Sequence, residues 1–209
     1  ALLRLMAAAA ALAVPALWGV AVLGPEIVVL LVGPQWASAG AAAQLLGLMA
    51  LPTVVVAFGI PALGARGRSK AILRISLVLL VSSTVTAVAA APFGLVAFAA
   101  MLAIRSHLTA CYYAWELRRE LGIDPRAILR ALAPAAMAAA IMVAALLLAG
   151  PWLRTATGGG ILPFTLASIA LGATCYALAL LLVARRFVRE HIAALRPLLR
   201  RGTPAVQPA

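Results

Sequence analysis

The chain reads as an all-α fold, a polytopic membrane helical bundle of about six transmembrane helices. Three observations carry that expectation. Apolar residues make up 66% of the 209 residues and charged residues 11%, and the mean hydropathy is +1.11; a soluble domain of this size carries far more charge. The apolar runs each approach the roughly 20 residues that cross a hydrocarbon core of about 30 Å. The basic residues gather at alternate connections between those runs.

The spans are expected at about 2–23, 39–62, 71–91, 93–117, 127–149 and 161–185, so that 1–186 forms the transmembrane bundle and 187–209 a cytoplasmic basic tail. The opening ALLRLMAAAAALAVP has the look of a leader. It lacks an initiator Met, however, and apolar runs continue to the far end, so it is read as a span and the chain as a piece of a longer protein. After the first span, residues 26–32 are apolar but too few to cross. Gly24-Pro25 and Gly33-Pro34 bound them, which predicts a short interfacial or re-entrant element with Trp36 at headgroup level. Pro15, Pro52 and Pro134 fall inside spans and are expected to kink or unwind them. The fourth span starts near Pro92-Phe93.

Charge sets the orientation. Of 17 Lys and Arg residues, all but Arg105 and Arg154 fall at the termini or in alternate loops: Arg4; Arg66, Arg68, Lys70 and Arg74; Arg118, Arg119, Arg126 and Arg130; and Arg185, Arg186, Arg189, Arg196, Arg200 and Arg201. Positive charge stays on the cytoplasmic side, so both ends are expected there. The net charge of +12 is read as attraction to the anionic headgroups of membrane lipids. Nucleic acid is not an expected partner, because the charges flank spans and form no continuous stripe with aromatics.

Arg105 poses the functional question. It lies about 18 Å along the axis from the start of its span, near the bilayer centre. A lipid-facing arginine there costs from roughly 2.5 kcal/mol to far more. Intramembrane charge usually faces a cavity, and a fixed guanidinium would attract an anion and hold a phosphate in a bidentate fork. The plainer reading is a structural arginine, paired outside these residues or bonded to backbone carbonyls at a kink; Glu26, Glu116, Glu120, Asp124 and Glu190 all lie at or beyond span ends.

Thr109, Tyr112 and Glu116 share a helix face with Arg105, forming a polar stripe that descends to the cytoplasmic end. His107 points about 200° away and is a packing or pore-rim residue before it is a proton relay. In the third span Ser76 and Ser83 share a face among Ser82, Thr84 and Thr86, residue types that more often bond helix to helix. Together, Arg105, Thr109, Tyr112, Glu116, His107, Ser76 and Ser83 are the substrate-pathway candidates. Glu116, Arg118, Arg119 and Glu120 form a mixed-sign cluster, a gate latch or simply a solvated helix end.

Cys111 and Cys175 lie in apolar segments without metal-ligand or CxxC spacing and read as packing residues. No catalytic residue, metal or cofactor is expected, and no phosphate-cradling Gly-Lys-Ser/Thr loop is present. Alanine-rich spans suit close helix packing that can still slide.

Three stretches carry a resemblance to a known family. PALWGVAVLGPEIVVLLVGPQWASAG (15–40) runs from an apolar helix through Pro25-Glu26 and IVVLL to Gly33 and Trp36. LGARGRSKAILRISLVL (63–79) has a small-residue-Gly-Arg turn between helices. APFGLVAFAAML (91–102) has a Gly-Leu helix start in which Ala97 stands where the family has a second glycine. In their order and spacing these resemble the polysaccharide flippases of the multidrug/oligosaccharidyl-lipid/polysaccharide exporter superfamily, along nearly the whole chain.

The resemblance implies one lobe, the C-terminal one, of a two-lobe transporter in the bacterial inner membrane. Its partner would be the missing N-terminal lobe of the same chain. Its cargo would be an undecaprenyl-diphosphate-linked glycan for exopolysaccharide, O-antigen or capsule synthesis, with glycan polymerase or export machinery as further partners. The rivals are a cation-coupled drug or small-molecule antiporter of the same superfamily, which needs a membrane carboxylate, and an integral membrane enzyme of glycan assembly, which needs a large outer loop.

Overall fold

The computed structural model describes residues 2–183. The basic tail expected at 187–209 and the end of the span expected to reach 185 lie outside the described residues. Among the described residues seven helices follow one another: α1 (Leu2–Val32), α2 (Ala39–Gly47), α3 (Ala50–Ala65), α4 (Ser69–Ala90), α5 (Gly94–Leu121), α6 (Pro125–Ala156) and α7 (Ile161–Val183), with single 3-10 turns at Pro34–Trp36 and Ala91–Phe93. Four helical stretches of the described residues are long and apolar enough to cross a membrane, or five if α2 and α3 count as one bent span.

One of those four is the 53-residue stretch Ser69–Leu121. It is not a single rod. Arg74 meets Glu116, Ser82 meets Arg105 and Arg68 meets Glu120. In each pair the two residue numbers add to nearly the same value, which is the register of an antiparallel hairpin turning at Ala91–Gly94. Gly94 makes the turn with φ +81°, a conformation other residues rarely adopt.

α1 lies at the centre, against α2, α3, α6 and α7; α5 packs on α2 and α3 from the other side, and α4 lies outermost, on α5 and α3. The buried core runs through Met6, Val14, Val54, Leu63, Ile75, Tyr113, Leu117 and Leu132. Around it the surface is oily: Leu12 is 79% and Leu148 83% exposed. In water such a surface would drive aggregation, but hydrocarbon is its natural solvent. Packing inside must then come from close contact, because lipid offers no hydrophobic drive for helices to associate. The α1–α2 crossing shows how. A Cβ on Gly40 would come 2.6 Å from Pro25 Cα, and one on Gly47 would collide with the backbone of Leu17 and Ala21.

The prolines act through the carbonyl four residues before each, which loses its usual N–H partner. Pro52 cannot donate to Leu48, and the chain breaks there: α2 and α3 meet at 56°. The expected span at 39–62 is thus two helices. Pro15 lies within an unbroken helix, and the Ala11 carbonyl that it frees accepts the Tyr176 hydroxyl at 2.8 Å. Pro134 is likewise carried inside α6.

The expected break at Gly24-Pro25 does not occur. α1 continues through it to Val32, so residues 26–32 are the last turns of α1 and not a separate interfacial or re-entrant piece. Two forces oppose the break. Gly24 and Pro25 are clamped by Gln44 and Gly40 of α2, and Glu26 pairs with Arg154 of α6, which also lies 4.5 Å over the Phe164 ring. With 31 and 32 residues, α1 and α6 are about 46–48 Å long and outreach a 30 Å hydrocarbon core. Their far ends are joined by this ion pair.

Candidate functional site

The broken helix, the hairpin and the half-buried Arg105 meet at one place. A cavity of about 280 Å³ opens beside the α2–α3 break, lined by Met49, Thr53, Val56, Ala57, Leu79, Arg105, Ser106 and Thr109. Arg105 enters it from the middle of α5. Its Nη1 donates to Ser82 Oγ at 3.4 Å, while its Nε is buried without a partner. Ser82 in turn donates to the Leu79 carbonyl at 3.1 Å, so its oxygen is held in place to accept from the arginine. Thr109 donates to the carbonyl of Arg105 itself at 2.7 Å, and Thr53 to that of Met49 at 2.8 Å.

No carboxylate answers this guanidinium among the described residues. Glu26 pairs with Arg154, Glu116 and Glu120 with Arg74, and Asp124 accepts from the Arg126 N–H at the start of α6. The cavity therefore holds a cation whose charge is not neutralised, with donor capacity left over. Its chemistry suits an oxyanion.

The lower part of the polar stripe is built differently. Arg74 of α4 grips Glu116 with Nε at 3.2 Å and Nη2 at 3.1 Å, and reaches Glu120 at 2.6 Å. Tyr112 donates to the same Glu116 at 3.1 Å and stacks on Trp115. Arg68 adds a longer contact to Glu120. Glu116 is completely buried. These residues clasp the open end of the hairpin, and every charge in the clasp has its counterpart.

Of the sequence candidates, Arg105 and Thr109 line one cavity. Tyr112 and Glu116 belong to the clasp. His107 faces a different groove, between α3, α5 and α6. Ser76 is exposed, and Ser83 donates to its own helix at the Leu80 carbonyl, 2.8 Å. Helix-face reasoning missed Ser82 as the partner of Arg105. The signal was present, because a hairpin turning at Pro92-Phe93 places Ser82 opposite Arg105. Thr53 and Met49 carried no such signal; only the break at Pro52 brings them to the cavity.

Among the described residues, fold and site together define an all-helical bundle of the polytopic membrane kind, with an arginine in the middle of α5 that no carboxylate pairs. Compared with family models, with curated proteins and with solved structures, the chain gives no significant match.

Proposed function

We propose that the chain is one lobe of a flippase that moves an undecaprenyl-diphosphate-linked oligosaccharide across the bacterial inner membrane. The observation that carries this reading is Arg105, a cation with no carboxylate partner among the described residues, at the wall of a cavity in the middle of its helix. Counting each arm of the α4–α5 hairpin and the bent α2–α3 pair as one crossing gives six crossings, with Arg66–Arg74 and Arg118–Arg130 at the cytoplasmic end. The diphosphate would be held by the guanidinium, the glycan would lie in the space between this lobe and a second one, and rocking of the lobes would open the site to each side in turn. A cation-coupled antiporter is less well supported, since the most buried carboxylate among the described residues, Glu116, is already held by Arg74 and Tyr112.

The test uses the full-length gene in a strain lacking it. Surface polysaccharide is quantified after rescue with wild type, Arg105→Lys and Arg105→Ala, with membrane levels of each protein measured in parallel. Loss with Arg105→Ala at normal protein level, and partial rescue by Arg105→Lys, is the expected result. Full rescue by Arg105→Ala would remove Arg105 from the transport route, and failure of wild type to restore polysaccharide would overturn the flippase reading.

A further inference from the structure

His107 is not used by the arginine cavity. It faces a groove of about 510 Å³ bounded by α3, α5 and α6, with walls that include Leu51, Val55, Ala110, Leu129, Leu132 and Ala136; among the described residues no Asp, Glu, Lys or Arg lines it. His107 is exposed as a residue, and its Nδ1 lies 2.8 Å from the Ala103 carbonyl oxygen. A carbonyl can only accept, so this bond puts the proton on Nδ1 and leaves Nε2 of the neutral ring as an acceptor. Among the described residues nothing donates to it. His107 is about 20 Å along α5 from Gly94; on the reading that α5 crosses the bilayer, this lies inside the hydrocarbon, where an unmet acceptor is unfavourable.

We infer that this groove binds an uncharged, membrane-soluble molecule with an elongated hydrocarbon body and a single hydroxyl, which donates to His107 Nε2. The apolar walls take the body, and the absence of any countercharge selects against ionic ligands. The volume falls within the range of small-molecule sites, about 300–1,000 Å³. A docked helix, about 10 Å across with side chains, would overfill it within two turns, so a chain fits better than a protein segment. The site is independent of the Arg105 cavity, because the two residues point to different sides of α5.

The experiment places the full chain in nanodiscs with a diazirine-bearing long-chain primary alcohol, or with the same molecule as its methyl ether. After photolysis the labelled residues are mapped by mass spectrometry in wild type, His107→Phe and Ala133→Leu. In wild type the alcohol labels groove residues of α5 and α6 about 5-fold more than the ether, as one net hydrogen bond implies. His107→Phe abolishes that preference, and Ala133→Leu reduces labelling by both probes. Melting temperatures near that of wild type exclude unfolding as the cause. Equal labelling by alcohol and ether in wild type, or a preference that survives His107→Phe, overturns the proposal. So does exclusion of both probes together with Cys111 cross-linking to another polypeptide, which would make the groove a protein interface.

Discussion

Arg74 on α4 holds Glu116 on α5 through two nearly parallel N–H···O bonds of 3.2 and 3.1 Å. The carboxylate is almost wholly removed from solvent, while the arginine side chain keeps 39% of its surface. The two residues face each other only because the hairpin turns at Gly94, and they close its open end. A buried carboxylate whose partner is removed is left uncompensated, whereas removing both partners together does far less harm.

Arg74→Ala is therefore expected to lower stability measurably, by less than breaking a fully buried pair would, because the arginine is partly solvated. Arg74→Ala combined with Glu116→Leu should recover part of that loss. Unfolding of the purified protein in mixed micelles by a denaturing detergent measures both. A double variant no more stable than Arg74→Ala alone would show that the clasp does not act as a pair.

Tyr176 and Pro15 are coupled through the Ala11 carbonyl, which proline leaves free and the hydroxyl takes up at 2.8 Å. Tyr176→Phe should cost about 1 kcal/mol. In a Pro15→Ala background, where residue 15 supplies its own N–H to Ala11, the same substitution should cost measurably less. The double-mutant cycle in the same unfolding assay reads this directly.

Gly47 and Gly19 make opposite predictions on the same pair of helices. A Cβ at Gly47 meets the backbone of α1, while none lies within 4 Å of one at Gly19. Gly47→Ala should destabilise by about 1–3 kcal/mol, because backbone cannot step aside. Gly19→Ala should be neutral or slightly stabilising, since alanine is the better helix former. Thermal melts of the two variants side by side distinguish them.

Ser82 and Ser83 separate the arginine's support from its surroundings. Ser82 accepts from Arg105, and Ser83 bonds only within α4. If the cavity carries the cargo as proposed, Ser82→Ala should reduce surface polysaccharide in the rescue assay by a few-fold, less than the roughly tenfold of a short hydrogen bond to a charged group because this one spans 3.4 Å. Ser83→Ala should leave it unchanged. Equal effects from both would mean that the guanidinium does not depend on Ser82 for its position.

The helical character of the chain and its membrane setting were legible in the sequence, because both depend on summed properties of many residues. Long apolar runs admit one solvent, and bilayer thickness limits how those runs divide. The site was only partly legible. A face shared along one helix is a local property, so Arg105, Thr109, Tyr112 and Glu116 were grouped from spacing alone. Their partners belong to other helices, and the grouping did not reveal that Thr109 opens on a cavity while Glu116 is clasped shut.

The prolines mark the same boundary from another direction. Pro15, Pro25 and Pro52 are chemically equivalent, since each removes one N–H and frees one carbonyl, although spacing puts Pro15 and Pro52 inside spans and Pro25 at a boundary. The fate of each is decided by what packs around it. Tyr176 accepts the role of donor to Ala11, Gly40 and Gln44 of α2 hold the helix closed around Pro25, and at Pro52 the chain bends by 56° and leaves space beside Arg105. Composition and spacing thus determined that this chain folds as helices in a membrane. Only tertiary packing, where a partner is either within reach of a freed polar group or absent, decided which proline breaks its helix and where the uncompensated arginine is exposed to a cavity.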